Sequence, residues 1–184
     1  MVVTRHDEVA SRVRLLRSHG MTTLTWDRHR GHASSYDVTM NGFNYRLNEI
    51  AAALGRCQLK KLVRGNRKRK ELAHTYHQAL FSAPNLTIPF AGYSGDSAHH
   101  LMTAVAPDGD TRDLLAQSLA TNGIQTSRHY PCVPTLSALR KYDVGAVPRS
   151  THFAQRVITL PLFPSMTVSE AQDVCRYVRE SLSP

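Results

Sequence analysis

The sequence predicts a mixed α/β or α+β fold in which helices flank a small sheet. One apolar stripe keeps helical spacing over roughly residues 48–81, which indicates a single long helix. After it, short apolar runs alternate with shorter helical patterns that begin at a capping residue or end at glycine. The 41% apolar content is enough for a packed core, and we find no internal repeat.

In the first half, charge and spacing predict three elements. Residues 1–4 (Met-Val-Val-Thr) are an apolar, β-branched run typical of a strand. A helix is expected over 7–18, because its first two residues are acidic, which suits the positive end of the helix dipole, and because Gly20 follows as a stop. The long helix is expected over 48–81.

The second half alternates strands and helices. Strands are expected at 86–90, 101–106, 124–130 and 157–162, and helices at 111–122, 147–156 and from residue 167 onward. Gly123 ends the first of these helices. The last one opens with Thr167 three residues before Glu170, which is the arrangement of a capping box.

Composition excludes several classes of protein. The 184 residues include 23 Lys and Arg against 14 Asp and Glu, which gives a formal net charge of +9. No run approaches the ~20 apolar residues of a membrane span, and no export signal is present. Three distant cysteines (Cys57, Cys132 and Cys175) suit buried thiols rather than a disulfide framework or a zinc site. We therefore expect a cytoplasmic protein with one domain, or one domain and part of another.

Histidine is abundant, with ten residues. Several stand close together in the sequence: His29 and His32, His74 and His77, and His99 and His100. None has a cysteine or carboxylate at ligand spacing, so we expect solvent-exposed histidines and no metal.

Most of the net charge lies in the middle of the long helix. The basic residues there are Arg56, Lys60, Lys61, Arg64, Arg67, Lys68, Arg69 and Lys70. They could neutralise nucleic-acid phosphates. Because they point in several directions and lack interleaved aromatic side chains, we favour a solvated face near a small anionic substrate. A basic nucleic-acid-binding module is the alternative, and nucleic-acid binding with a steep salt dependence would support it.

Residues 21–46 form a long polar segment, which contains Trp26 and ends in the turn-rich run Asn41-Gly-Phe-Asn-Tyr-Arg46. Connections of this length are usually functional when they are ordered. We therefore expect this run to contact a ligand or a partner.

Six motifs occur in a fixed order along the chain. They are Arg17-Ser-His-Gly20, Gly42-Phe-Asn-Tyr-Arg-Leu-Asn-Glu49, Ala51-Ala-Ala-Leu-Gly-Arg-Cys-Gln-Leu59, Gly123-Ile124, His129-Tyr130-Pro131 and Leu160-Pro-Leu-Phe-Pro-Ser-Met-Thr167, and the spaced residues Arg69, Tyr76 and Leu80 stand between the third and the fourth. Together they resemble the DegT/DnrJ/EryC1/StrS aminotransferases over nearly the whole chain. The second motif, with the helix that follows it, is the most specific part of the resemblance.

The resemblance implies the C-terminal half of a fold-type I transferase that depends on pyridoxal phosphate. Such enzymes aminate nucleotide-linked keto-sugars, with glutamate as the expected amino donor, in polysaccharide or glycosylated-metabolite biosynthesis, and they act as homodimers with shared active sites. Residues 1–46 would be the end of the large domain and an active-site loop. Residues 47–82 would be the long interdomain helix, and 83–184 the small C-terminal α/β domain.

The resemblance also implies binding residues. Asn44 and Arg46 match the region that reaches the cofactor phosphate of the other subunit, and Arg46 has the planar donor fork that suits phosphate. From the residues alone, an Arg46 that caps the adjacent helix is an equal alternative. His19 matches a turn near the active-site entrance. His129 and Tyr130 match a strand end that lines the sugar-nucleotide pocket.

Two departures from the family pattern limit what the chain can do. Where the family often has Pro-Leu-His, this chain has Cys132-Val133-Pro134, so the resemblance does not name the sugar. The family also needs a Schiff-base lysine. The lysines here are Lys60, Lys61, Lys68, Lys70 and Lys141, and none follows a Ser/Gly-rich strand end.

We therefore expect no catalytic residue in this chain and no transaminase activity from it alone. It could be a fragment of an aminotransferase, one half of a split enzyme, or a remnant that only binds. We also expect the apolar stripe of the long helix to be exposed and to promote self-association.

Overall fold

A computed structural model describes residues 2–23, 35–142 and 145–182. The chain forms two compact units, Met1–Lys60 and Lys61–Pro184. The elements are α1 (Asp7–Leu16), α2 (Glu49–Leu80), β1 (Met102–Val105), α3 (Gly109–Thr121), a 3₁₀ turn (Val133–Thr135), α4 (Pro148–Arg156), β2 (Val157–Leu160) and α5 (Val168–Leu182). The predicted mixture of helices and a small sheet is confirmed. Within the described ranges, no helix is both long and apolar enough to cross a bilayer.

The strand predicted at the start of the chain is absent from residues 2–4, so that prediction is wrong there; Met1 lies outside the described residues. A strand forms where a neighbour shares its backbone hydrogen bonds, and a sequence pattern does not supply that neighbour. Here the Thr4 hydroxyl instead accepts a hydrogen bond from the His6 N–H at 3.1 Å, and α1 begins directly afterwards.

Helix α2 begins where the sequence predicts. The Asn48 side chain accepts the Ala51 N–H at 2.8 Å, which satisfies a backbone donor that the helix itself cannot pair. The helix then continues for 32 residues to Leu80. One uninterrupted helix therefore runs from the first unit into the second.

The two ends of α2 differ in burial. Leu72, Tyr76 and Leu80 are fully buried, and the Tyr76 hydroxyl donates to the Pro161 carbonyl at 2.8 Å. Near the start of the helix, Ile50 is 84% exposed. Its apolar neighbours Leu54, Leu59, Leu62 and Val63 are also exposed. The exposed stripe expected from the sequence is therefore present on this part of the helix.

This exposed stripe leads to our first testable prediction. We expect the 184-residue chain to elute from a sizing column ahead of a monomer at micromolar concentration, because contiguous apolar surface drives association. The variant Leu54→Lys should shift elution toward the monomer, whereas Leu114→Lys, a control on another exposed leucine, should not. A chain that elutes as a monomer at every concentration would contradict the prediction.

The second unit is built round two antiparallel strands. Strands β1 and β2 pair in a register that runs from Met102 opposite Leu160 to Val105 opposite Val157. Helices α3 and α5 contact each other beside this sheet, and their inward residues join the core.

The strands predicted at 86–90 and 124–130 are reduced to single bridges. Thr87 pairs with Val105, and Ser127 with Thr159, one on each side of the two-stranded sheet. Pro89 and Pro131, which lie shortly after these bridges, lack the N–H that would continue the ladder. The strand predictions are therefore wrong beyond these single bridges: residues 89–90 form a turn, in which Phe90 has a φ of +61°.

The predicted capping box at the start of α5 is confirmed. Glu170 accepts hydrogen bonds from both the N–H and the hydroxyl of Thr167, at 2.7 and 2.8 Å. In return, the Glu170 N–H donates to the Thr167 hydroxyl at 3.1 Å. These hydrogen bonds to the carboxylate lower the pKa of Glu170.

Candidate functional site

The candidate site in the first unit is a pairing between two loop segments. The segment that follows α1 lies antiparallel to the segment that precedes α2, with Ser18 opposite Asn44. The His19 N–H donates to the Phe43 carbonyl at 3.0 Å, and the Tyr45 N–H donates to the Arg17 carbonyl at 2.9 Å. The Arg-Ser-His-Gly and Gly-Phe-Asn-Tyr-Arg motifs, which are distant in sequence, therefore form one structure.

Two glycines allow the backbones to approach so closely. A Cβ atom on Gly42 would lie 2.3 Å from the Gly20 nitrogen and 2.6 Å from the His19 carbonyl carbon. A Cβ on Gly20 would lie 1.8 Å from the Met40 carbonyl oxygen, and Gly20 also has a φ of +72°. Only glycine suits either position without a shift of the main chain.

Arg46 is held by a buried hydroxyl. Its Nε and Nη2 atoms donate to the Ser18 Oγ at 3.1 and 2.9 Å, and Ser18 has no exposed surface. This contact fixes the guanidinium beside the loop pair. The end of the Arg46 side chain is thereby oriented before any ligand binds.

The residues on either side of Asn44 form an aromatic pair. The rings of Phe43 and Tyr45 stack with centroids 5.0 Å apart and planes 8° apart, and both rings are largely exposed. Successive side chains of an extended segment point to opposite sides. Asn44 and Arg46 therefore share the side opposite the two rings, next to Ser18.

His129 and Tyr130 lie in the second unit. The His129 Nδ1 is 3.0 Å from the Thr159 hydroxyl, and the Tyr130 ring stands edge-on to the imidazole at 4.8 Å. His129 lines a cleft of about 690 Å³, whereas Tyr130 lines a different depression of about 360 Å³ together with Phe153. The structure thus places His19 with Asn44 and Arg46, and His129 with Tyr130, in separate units.

The cleft beside His129 combines neutral polar groups with apolar and aromatic side chains. Its polar walls include Asn122, Gln125, Thr126, Ser127 and Thr159, and its apolar walls include Ile124, Leu160, Phe163 and Tyr177. Amides, hydroxyls and ring faces of this kind can bind a neutral polyhydroxylated ligand. The lining also carries charges of both signs. The Arg176 guanidinium stacks on the Tyr177 ring at 4.2 Å and pairs with Asp173 at 3.0 Å, and Glu170 is a second carboxylate of the lining.

No lysine is among the described residues that line the cleft beside His129. Lys68 forms an ion pair with Glu71 at 2.9 Å, and the Lys141 ammonium lies over the Tyr142 ring at 5.1 Å. Lys60, Lys61 and Lys70 are exposed on α2. Donors for a phosphate group are present in the loop pair, and the cleft beside His129 has no lysine among its described lining residues.

No set of three potential ligands among the described His, Cys, Asp and Glu side chains could hold a metal ion. His29, His32 and Trp26, which the sequence analysis singled out, lie outside the described residues.

Sequence reasoning missed three features of these sites. It did not identify Ser18 as the partner of Arg46, the contact between Gly20 and Gly42, or Thr159 as the partner of His129. The paired glycines in two turn motifs were a usable signal. The two hydroxyls carried none, because serine and threonine occur throughout the chain.

Comparison with solved structures identifies the class of protein. Helicobacter pylori PseC, an aminotransferase involved in the biosynthesis of pseudoaminic acid, matches 98% of this chain with a TM-score of 0.86 and 26% identity. S. venezuelae DesV, solved in complex with a ketimine intermediate, matches 99% with a TM-score of 0.85 and 31% identity. These matches cover 47% and 46% of the two proteins, so the chain spans about half their length. The fold is that of part of a sugar aminotransferase.

Spr1654 from Streptococcus pneumoniae, a protein solved in a PLP form and in a PMP form, shares this fold at 22% identity and a TM-score of 0.81. The profile of the DegT/DnrJ/EryC1/StrS aminotransferase family matches residues 1–179. The chain belongs to this family.

Proposed function

We propose that this chain is the C-terminal half of a PLP-dependent aminotransferase acting on nucleotide-activated keto-sugars, with glutamate as amino donor. The observation that carries the proposal is the loop pair, in which a buried Ser18 orients Arg46 next to Asn44 in a member of this family. When bound, pyridoxal phosphate supplies the electron sink for amino transfer. The pathway would be polysaccharide or glycosylated-metabolite biosynthesis in the cytoplasm.

In this proposal Arg46 and Asn44 bind the phosphate of the cofactor. A guanidinium carries several N–H donors, so Arg46 can donate to phosphate oxygens while it also donates to Ser18, and an amide NH₂ adds a neutral donor. The tight approach of Gly20 and Gly42 keeps these donors in place, so that little side-chain freedom is lost on binding. His19 lies at the entrance to the site, and His129 and Tyr130 line the part that receives the sugar nucleotide.

The rest of the enzyme supplies the lysine and completes a homodimer with shared active sites. Residues 1–46 contribute the end of the large domain, 47–82 the interdomain helix and 83–184 the small domain. The coding sequence next to this chain separates the three hypotheses. If the lysine-bearing half is encoded in the same reading frame, the chain is a fragment. If that half is encoded by an adjacent gene, the enzyme is split. If it is found in neither place, the chain is a remnant.

The chain alone should not hold the cofactor covalently. After incubation with pyridoxal phosphate and reduction with borohydride, we expect only scattered labelling of exposed lysines, because none of the lysines follows the Ser/Gly-rich strand end that is expected of a Schiff-base lysine. Peptide mass spectrometry checks this. Stoichiometric labelling of one lysine, reproduced when the others are changed to arginine, would refute the expected inactivity.

The direct test of the proposal joins the chain to the lysine-bearing half. We expect the joined protein to transfer the amino group of glutamate to a nucleotide-linked keto-sugar. Arg46→Ala should weaken pyridoxal phosphate binding by about 10–100-fold, since hydrogen bonds to charged groups contribute about 1.5–3 kcal/mol. Spectroscopic titration of the cofactor measures the loss. Arg12→Ala, which removes an exposed arginine of α1, is the control and should change nothing. An unchanged cofactor affinity in Arg46→Ala would contradict the proposed contact.

A further inference from the structure

A second pocket in the second unit has no place in the proposed reaction. It has a volume of about 410 Å³ and lies between α2 and the loop that leads to β1. Helix α2 contributes Lys70, His74 and His77 to its wall, and the loop contributes His99 and His100. We call this set the histidine pocket. His74 and His77 are three residues apart on the helix and therefore share a face.

The lining of the histidine pocket contains several groups that can donate hydrogen bonds. Besides the basic residues, it includes the hydroxyl-bearing side chains of Tyr93, Ser94, Ser97 and Thr103, and no Asp or Glu stands among the described lining residues. The loop does contain one carboxylate, Asp96, but it is not part of the wall. A concave surface lined by one sign of charge concentrates the potential inside it.

The surroundings lower the pKa of two imidazoles in the pocket, those of His77 and His99. Burial lowers the pKa of His77, and the neighbouring His99 and His74 lower it further. Burial also lowers the pKa of His99, and the ammonium of Lys70 adds to the effect. These lowered pKa values favour the neutral imidazoles while the pocket is empty, and an anion in the pocket would favour the protonated ones.

The backbone keeps the loop histidine directed at the helix. The His99 N–H donates to the Ser97 hydroxyl at 3.0 Å, and His99 has a φ of +44°. A non-glycine residue in this region is held by its surroundings, since it carries a strain that a relaxed loop would release. Ala73 and Met102, which are buried residues of α2 and β1, also line the pocket.

We propose that the histidine pocket binds a phosphate-class oxyanion, such as phosphate or pyrophosphate, and takes up protons on His77 and His99 as it does so. The oxygens of a phosphate group accept hydrogen bonds in several directions, which matches donors arranged on both walls. A protein carboxylate would hold the imidazoles protonated permanently. Because no carboxylate is among the described residues of the wall, a bound anion is the group that would stabilise the protonated imidazoles. The proposal does not rest on the aminotransferase assignment.

The experiment titrates the 184-residue chain with inorganic pyrophosphate by calorimetry at constant ionic strength. We expect binding at pH 6 that weakens at least fivefold by pH 8, because binding that takes up a proton loses up to about tenfold per pH unit above the imidazole pKa. The double variant His77→Gln/His99→Gln should weaken binding at pH 6 at least fivefold. His152→Gln, which removes an exposed histidine of α4, is the matched control and should bind as the unchanged chain does. Sulfate and acetate at the same concentration test whether the pocket prefers the phosphate class.

A second measurement needs no variant. Imidazole resonances followed by NMR through a pH titration should show the midpoints of His77 and His99 rise in phosphate relative to chloride, with His152 unmoved. The proposal is overturned if those midpoints stay the same, if binding is independent of pH, or if the double variant binds pyrophosphate as well as the control does.

Discussion

Gly42→Ala is expected to open the loop pair of the first unit and to remove the candidate phosphate site with it. The added methyl group would lie 2.3 Å from the Gly20 nitrogen, and the atoms it meets belong to the main chain rather than to a side chain that can rotate away. Overpacking of this kind costs about 1–3 kcal/mol or more. The hydrogen bonds from His19 and Tyr45 cross this junction and should be lost first.

Amide hydrogen exchange measures this loss residue by residue. In the unchanged chain, the His19, Phe43 and Tyr45 amides should be protected, and Gly42→Ala should speed their exchange by a factor of roughly 5–30, which corresponds to about one or two kcal/mol. Gly55→Ala is the control, because a Cβ there meets nothing within 4 Å. In a helix interior this control should stabilise by about 0.5–1 kcal/mol. If both variants leave the three amides protected, the close approach of Gly20 and Gly42 is wrong.

Leu72→Ala is expected to destabilise the second unit by about 2–5 kcal/mol. Leu72 is fully buried in a core that also contains Tyr76, Leu80, Leu115 and Val178. Truncation leaves a cavity among elements already held by the β1–β2 pairing, so the surroundings can collapse only in part. Urea unfolding followed by circular dichroism gives the change in the free energy of unfolding.

Leu54→Ala, which makes the same substitution nearer the start of α2, is the control for Leu72→Ala. Leu54 is 60% exposed, so Leu54→Ala removes little buried surface and should change the free energy of unfolding by less than about 0.5 kcal/mol. Measured in dilute solution, this control separates core packing from association through the exposed stripe. Equal losses in the two variants would mean that both ends of the helix are packed alike, contrary to the burial described above.

The helices were largely predictable from sequence because their signals are local. Asn48, the Thr167–Glu170 capping box and Gly123 each mark a helix end through a contact within a few residues. The cap of α3 was not foreseen: the Asp108 carboxylate accepts the Thr111 N–H at 2.7 Å, so the helix starts at Gly109, two residues before the predicted start.

The sheet and the site were less predictable because they depend on distant pairs. Ser127 pairs with Thr159, and Ser18 with Asn44, and no periodicity in the chain connects the members of either pair. Family resemblance brought Asn44, Arg46 and His19 to attention as separate motifs. The hydrogen bonds from Arg46 to the Ser18 hydroxyl, which join the two motifs, are a property of the tertiary structure alone.

A row of basic side chains on the exposed part of α2 makes the stability of that part of the helix depend on salt. Arg56, Lys60, Arg64 and Lys68 follow one another at intervals of four residues, so each cation lies one turn from the next. Like charges at this spacing disfavour the helix by about 0.2–0.5 kcal/mol per pair, and here only Lys68 has a nearby carboxylate, Glu71, among the contacts described for the row. Dissolved salt screens this repulsion. The exposed half of α2 should therefore gain helicity as ionic strength rises, while the buried half, held by packing, stays indifferent to it.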